Sequence, residues 1–138
     1  MEKLHLISAD TLFYQPLDHP KMLIDGILSN GLAILSGDSK IGKSWMVLWL
    51  CLKISMGEPV WGLPTAQTDV IYLALEDNDW RIQQRMQELI DEPPKNLHFG
   101  FSCGKLGAEL EGQIKGVLED NPNTGLLFID TLQMVRDN

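Results

Sequence analysis

Three runs of mostly apolar residues in the chain are each followed by a glycine or a carboxylate. They span residues 32–36, 70–75 and 126–129. Runs of this length without polar alternation are typical of strands that are covered on both faces of a parallel sheet. Residues 97–101 instead alternate apolar and polar side chains, which indicates a fourth, weaker strand and a candidate for the edge of the sheet. The pattern therefore predicts four strands.

The segments between the predicted strands show helical periodicity. Apolar side chains surround nearly the whole circumference of residues 43–56, which predicts a helix buried on several sides. Residues 78–90 carry one apolar stripe behind a capping residue, and residues 108–119 repeat at helical spacing despite two glycines. Strand and helix alternate, which predicts an α/β fold with three layers: a mostly parallel sheet with helices on both faces. Residues 1–30, rich in turn signals, are expected to wrap the domain formed by residues 31–138.

Composition narrows the class of protein. With 138 residues, of which 44% are apolar, the chain is expected to form one globular domain. Its formal net charge of −8 argues against a protein whose whole surface binds nucleic acid. Any DNA contact must therefore be local or lie outside this sequence. Cys51 and Cys103 fit no metal-ligand spacing and are expected to be inert thiols of a reducing compartment. The sequence has no signal peptide or membrane-spanning run, so we expect no membrane partner and a cytoplasmic location.

The loop between the first strand and the first long helix matches a phosphate-binding pattern. Residues 37–44 read G-D-S-K-I-G-K-S, an instance of G-x-x-x-x-G-K-[ST]. The glycines let backbone N–H groups wrap a phosphate, Lys43 supplies a positive charge, and the Ser44 hydroxyl points to a Mg²⁺ that bridges the phosphates. An ordinary Gly/Ser loop is the alternative, but such a loop has no need for Lys43. The candidate nucleotide-binding residues are Gly37, Asp38, Ser39, Lys40, Ile41, Gly42, Lys43, Ser44 and Trp45.

Two acids follow strands at the edge of the sheet where this loop is expected. In open parallel sheets, ligands bind beyond the carboxyl ends of the strands. Asp130 follows the last strand and has the position of the acid that holds Mg²⁺ opposite Ser44, so these two are the metal candidates. Glu76 follows the second strand and is the candidate for orienting and deprotonating the attacking water, with Asp77 as its competitor. The catalytic candidates are therefore Glu76 and Lys43, and the alternative is that both acids after the second strand only favour the start of a helix.

Arginine and tryptophan side chains give weaker signals. Arg81 and Arg85 lie four residues apart on the helix that follows the second strand, where solvated arginines are the commoner case. Trp45 and Trp49 have helical spacing and are expected in the core. Trp80 lies in a polar stretch, so its role stays open.

The phosphate-binding loop and the two acids lie in three stretches of the sequence. The stretches LIDGILSNGLAILSGDSKIGKSW, VIYLALEDNDWRIQQRM and LLFIDTLQMVRDN cover most of the chain from Leu23 onward. In them the sequence resembles the RecA-like ATPases of the RepA type, which are hexameric replicative helicases of plasmids and mobile elements, and their AAA-family relatives. The resemblance implies ATP bound by residues 37–44, catalysis by Glu76, Mg²⁺ held through Asp130, and a homo-hexamer in the full-length form. Thr131 after Asp130 is similar to the RecA-like pattern, whereas many other phosphate-loop enzymes place a second acid there.

The sequence departs from the RecA-like pattern at its end. RecA-like domains continue beyond the metal aspartate with a strand that inserts beside it, so the fold is expected to be incomplete at the C-terminus, with DNA-binding regions outside this chain. Without that strand, the strands ending at Gly37 and Asp130 must pair with each other or leave a gap that exposes apolar side chains.

Two functions stay open: an ATP-hydrolysing domain of a DNA-replication or mobile-element helicase, and a nucleotide-binding regulatory or remnant protein without turnover. A small-molecule kinase is a third reading, but the sequence after Asp130 is too short for the arginine-rich lid that such an enzyme needs.

Overall fold

The computed structural model describes residues 3–17, 22–36 and 42–136. The helices of these ranges are α1 (Ala9–Tyr14), α2 (Lys43–Met56), α3 (Asp79–Leu89), α4 (Ala108–Asp120) and α5 (Leu132–Val135). The strands are β1 (Met22–Ile24), β2 (Leu28–Ser29), β3 (Asp69–Ala74), β4 (Leu97–Gly100) and β5 (Thr124–Asp130). None of the helices in these ranges is both long and apolar enough to cross a membrane.

Three strands form one parallel sheet in the order β4-β3-β5. Tyr72 of the central strand pairs with Phe99 of β4 on one side and with Phe128 of β5 on the other. Helices flank this sheet, so the predicted α/β class is confirmed. The three strands predicted in this part of the chain are present, and β4 is an edge strand as expected. Helices α2, α3 and α4 also begin and end within a residue or two of their predicted limits.

The core lies between α2, α3 and one face of the sheet. Because side chains alternate along a strand, Val70 and Tyr72 of β3 share this face, and both are fully buried. Leu48 and Ile54 of α2 are equally inaccessible, and Ile82 of α3 packs into the same cluster. Burial of each such aliphatic side chain contributes roughly 1.5–3 kcal/mol. This packing explains why apolar residues surround α2 almost completely.

The two cysteines are free thiols in different surroundings. Cys51 lies fully buried in the core cluster, and this burial raises the pKa of its thiol well above the ordinary value. Cys103 is partly exposed in the segment after β4. The pKa of Cys51 favours the inert behaviour that the sequence predicts, because the thiolate is the reactive form.

Residues 32–36 do not form the strand that their apolar pattern predicts. In the described part of the chain they pair with no strand, and Leu32 and Ile34 are 96% and 80% exposed. The segment instead lines a cleft of about 550 Å³ whose opposite wall is β5. A strand needs a backbone partner about 4.8 Å away, and in the described residues β5 pairs with β3 alone and not with this segment. Of the two arrangements expected at this place, the gap that exposes apolar side chains is the one observed.

The N-terminal residues divide into an exposed part and a packed part. Helix α1 has no buried residue, and large side chains such as Leu4 and Phe13 are 90% and 80% exposed. In contrast, Leu23 and Ile24 of β1 are buried, and β1 pairs antiparallel with β2. Backbone bonds tie this hairpin to the segment before β3, since the N–H of Ala66 donates to the Leu23 carbonyl. The division at residue 30 stays a prediction.

Candidate functional site

Helix α2 begins behind a glycine in the left-handed conformation. Gly42 has φ +84° and ψ 18°, a backbone region that glycine adopts readily and other residues rarely do. A Cβ atom at this position would meet nothing within 4 Å, so the backbone angle rather than space favours glycine. Because glycine has no side chain to cap the helix, the first-turn N–H groups depend on other acceptors. The candidate residues 37–41 lie outside the described residues.

One carboxylate oxygen joins α2, β3 and β5. Oδ2 of Asp130 accepts a hydrogen bond from Ser44 Oγ at 2.9 Å and another from the Tyr72 hydroxyl at 3.1 Å. Asp130 is only 7% exposed. Burial, followed by the negative charge of Asp130, raises the pKa of Tyr72, so this hydroxyl stays a donor. The structure therefore brings the two metal candidates, Ser44 and Asp130, into direct contact.

Glu76 lies at the same edge of the sheet as Asp130. The parallel register pairs Ala74 with Asp130, and the N–H of Leu75 donates to the Asp130 carbonyl at 2.9 Å. The Thr131 hydroxyl donates to Oε1 of Glu76 at 3.1 Å. Glu76 is exposed, so water reaches its carboxylate. We call this group of residues, together with the start of α2, the rim site: Lys43, Ser44, Glu76, Asp130 and Thr131.

Arg85 binds Asp77, the competitor of Glu76, and Arg81 lies further from it. Nη1 of Arg85 lies 2.5 Å from Oδ2 of Asp77, and Nη1 of Arg81 lies 3.9 Å from Oδ1. The side chain of Asp77 is only 9% exposed. A carboxylate that is buried and bound to guanidinium has little room for a water molecule, so Glu76 remains the accessible acid at the end of β3.

The prediction that Trp45 lies in the core is wrong. Its side chain is 38% exposed, and the guanidinium carbon of Arg85 lies 5.1 Å from the centroid of its ring. The physical reason is its place in the first turn of α2, at the rim site, whereas the buried positions of the helix begin at Val47. Trp49, one turn further on, is partly buried and packs against the core cluster. Trp80 is 61% exposed on α3.

The rim site suits Mg²⁺ bound together with a phosphate better than a metal held by protein alone. Within the ranges that the structure describes, no three His, Cys, Asp or Glu side chains converge to hold a metal. Mg²⁺ usually takes one or two protein oxygens, and waters and phosphates complete its coordination. Ser44 and Asp130 supply two such oxygens beside the start of α2, where Gly42 offers no side-chain cap. Lys43 lines the neighbouring cleft with Asp130, so a positive charge is at hand for the phosphates.

Two residues that the structure places in this group, Tyr72 and Thr131, were not among the candidates predicted from the sequence. Tyr72 stands in an otherwise apolar run, and a buried tyrosine needs a partner for its hydroxyl, which was a usable signal. Thr131 bonds the acid of the neighbouring strand end. Its position directly after Asp130 was noted, but no spacing rule predicts its contact with Glu76.

Comparison with known proteins identifies a family for the chain. A family model described as "AAA domain" matches residues 2–138, which is nearly the whole chain. Neither a search of curated proteins nor a search of solved structures gives a significant match.

Proposed function

Because the chain belongs to the AAA domain family, we propose that it binds ATP with Mg²⁺ at the rim site and hydrolyses the ATP. The observation that carries the proposal is the contact of Ser44 with Asp130, whose oxygens lie 2.9 Å apart at the start of α2. A hydroxyl and a carboxylate in contact beside a helix N-terminus and a lysine match the parts that phosphate-loop ATPases use. Residues of an ordinary Gly/Ser loop have no reason to contact the acid of a distant strand.

Four residues of the rim site and the first turn of α2 have roles in this proposal. First-turn N–H groups of α2 bind phosphate oxygens, and the Lys43 ammonium neutralises the charge of the outer phosphates. Ser44 and Asp130 hold Mg²⁺, which when bound neutralises charge that develops on the phosphates. Glu76 orients the attacking water and accepts its proton, because it is the exposed acid at the end of β3.

The finer proposal concerns the biological setting. The likeness of three sequence stretches to RepA-type ATPases supports a role in DNA replication or in a mobile element, as part of a hexameric helicase in the cytoplasm. The net charge of −8 favours local DNA contacts over binding with the whole surface. The alternative, a nucleotide-binding protein without turnover, predicts ATP binding at the same residues and no phosphate release.

Substitution of Lys43 tests the binding site. We expect Lys43→Ala to weaken binding of a fluorescent ATP analogue by about 100-fold or more, because a charge-assisted contact with phosphate contributes about 3 kcal/mol. The measurement is a titration of the purified chain with the analogue in the presence of Mg²⁺.

Lys53→Ala on the same helix is the matched control. Lys53 pairs with Glu58 at 2.8 Å near the other end of α2, so its loss leaves the rim site intact. Equal affinity of the Lys43→Ala variant and the unchanged chain would overturn the proposed function.

A further inference from the structure

The turn that carries Glu76 is held by its neighbour Asp77. This turn joins β3 to α3, and the N–H of Asp77 closes it by donating to the Ala74 carbonyl at 3.3 Å. Oδ1 of Asp77 accepts from the N–H of Asn78 at 3.1 Å, and Oδ2 is paired with Arg85. Both carboxylate oxygens are therefore engaged. The position of Glu76 depends on a side chain that itself faces away from water.

Arg85 connects this turn to the other side of the rim site. Its guanidinium carbon lies over the ring of Trp45, 5.1 Å from the centroid, while its Nη1 binds Asp77. Trp45 directly follows Ser44 in the first turn of α2. The arginine side chain is only 20% exposed, and ion pairs with little exposure to water are screened less than surface pairs. An unbroken series of contacts thus runs from the start of α2 to the turn before α3.

Arg81, on the same helix, makes a weaker contact with Asp77. It is one turn away from Arg85, its side chain is 57% exposed, and its Nη1 lies 3.9 Å from Asp77. An exposed pair at this distance contributes little to the position of either partner. Both arginines thus approach the same acid, Asp77, but they differ in distance and in exposure. Arg81 therefore serves as the matched control for Arg85.

We infer that Arg85 is a positioning residue for Glu76. It fixes the acid relative to the start of α2 through its two contacts, with Asp77 and with Trp45. The inference rests on the proposed function, since it assigns Glu76 to the reaction, but it adds a residue that no sequence motif marks. Arg85 acts through its neighbours and contributes no atom to the reaction itself.

The test compares Arg85→Ala with Arg81→Ala in the purified chain. Because a misplacement near 1 Å costs on the order of 10- to 100-fold in rate, we expect kcat for ATP hydrolysis to fall by that factor in Arg85→Ala. The affinity for the ATP analogue should change by less than about twofold, because binding depends on the loop and on Lys43. Arg81→Ala should change neither quantity.

Two further measurements separate positioning from loss of the fold. Arg85→Lys should recover part of kcat, because lysine keeps the positive charge for Asp77 but lacks the planar group that covers Trp45. Amide hydrogen exchange at Asp77 and Asn78 should be faster in Arg85→Ala than in Arg81→Ala, with or without turnover, because the turn loses its anchor.

The outcomes distinguish the two proposals. Lys43→Ala with undiminished affinity overturns the proposed function. If Lys43→Ala loses affinity while Arg85→Ala keeps both kcat and slow exchange at Asp77, the positioning role alone is wrong. If the chain shows no turnover, the exchange measurement decides by itself: equal exchange in the two arginine variants rejects the inference.

Discussion

Oδ2 of Asp130 accepts hydrogen bonds from two hydroxyl groups that belong to different elements. Ser44 is partly exposed in the first turn of α2, whereas Tyr72 of β3 is fully buried in the core. The tyrosine keeps the acid hydrogen-bonded without adding a charge. At the scale of single residues, the candidate metal acid is thus bound by a buried hydroxyl from the core and by a partly exposed hydroxyl at the rim site.

Tyr72→Phe tests this description through the pH dependence of stability. Burial raises the pKa of Tyr72 in the folded protein above its ordinary value of 10.0, so this tyrosine ionises first in the unfolded chain. Its contribution is therefore fully present below pH 10 and is lost as the pH rises above that value. Between about pH 8 and about pH 10.5 we expect the unchanged chain to lose about 1 kcal/mol more of its free energy of unfolding than Tyr72→Phe does.

Urea unfolding of both proteins at the two pH values provides the measurement. Tyr14 is exposed and present in both, so its ionisation cancels in the comparison. Equal losses in the two proteins would contradict the burial-driven shift.

Part of the rim site could be predicted from the sequence. Ser44 and Asp130 were expected to meet because the carboxyl ends of parallel strands share one edge of a sheet. Trp45 and Arg85 were not expected to meet, because helical spacing shows which residues share a face but not which neighbour lies opposite that face. Contacts between side chains of different helices depend on packing that no local pattern contains.

At the scale of elements, α2 is bounded by two glycines with positive φ. Gly42 precedes its first residue, and Gly57 follows its last with φ +69°. At the C-terminus the N–H of Gly57 donates to the Ile54 carbonyl and that of Glu58 to the Lys53 carbonyl, which is the Schellman arrangement. The helix that carries the rim site therefore has defined limits at both ends.

Two Gly→Ala substitutions are expected to change stability in opposite directions. At Gly57 a Cβ atom would lie 3.0 Å from Cβ of Gln67 and the positive φ would be strained, so Gly57→Ala should lower the free energy of unfolding by about 1–2 kcal/mol. Gly112 lies inside α4 with nothing within 4 Å of an added Cβ, so Gly112→Ala should raise it by about 0.5–1 kcal/mol.

Urea denaturation of the two variants beside the unchanged chain measures both effects. A stabilised Gly57→Ala variant would show that this residue does not need the left-handed conformation. A destabilised Gly112→Ala variant would show that α4 has a close neighbour at that position.

Elements with strong helical periodicity were predicted correctly. The strand predicted at residues 32–36 was not, because a strand depends on pairing with another segment. Helices α2, α3 and α4 follow from their apolar patterns and end signals, because helices are held by bonds within one segment. Residues 32–36 have the composition of a strand, but a strand needs a partner, and the sequence of a segment does not contain its partner. The β1–β2 hairpin was not predicted because its strands are too short to show alternation.

At the scale of the whole molecule, nucleotide state and assembly are expected to be linked. Anything that binds one state of a protein preferentially shifts its equilibria, so an assembly that prefers the ATP-bound chain grows when turnover stops. Glu76→Gln removes the proposed acceptor of the water proton and leaves Lys43, Ser44 and Asp130 in place. Because Glu76 is exposed and lies outside the core cluster, the substitution is expected to leave the fold intact.

In the full-length protein we therefore expect Glu76→Gln to keep its affinity for the ATP analogue, to lose steady-state hydrolysis and, with ATP and Mg²⁺, to form hexamers. Sedimentation velocity with and without ATP measures the assembly, and phosphate release measures the turnover. Lys43→Ala is the control, because without bound ATP it should not assemble. Normal hydrolysis in Glu76→Gln would remove this acid from the proposed role, and a monomer saturated with ATP would reject the hexamer.

The shared oxygen of Asp130 also bears on how the chain folds. Its two hydrogen bonds span 86 and 58 residues of sequence, so they form only after loops of that length have closed. Interactions with such large sequence separation are slow to form and are absent from any fragment that lacks one of the three elements. We therefore expect nucleotide binding at the proposed site to require that β3 and β5 have paired and that α2 is in place.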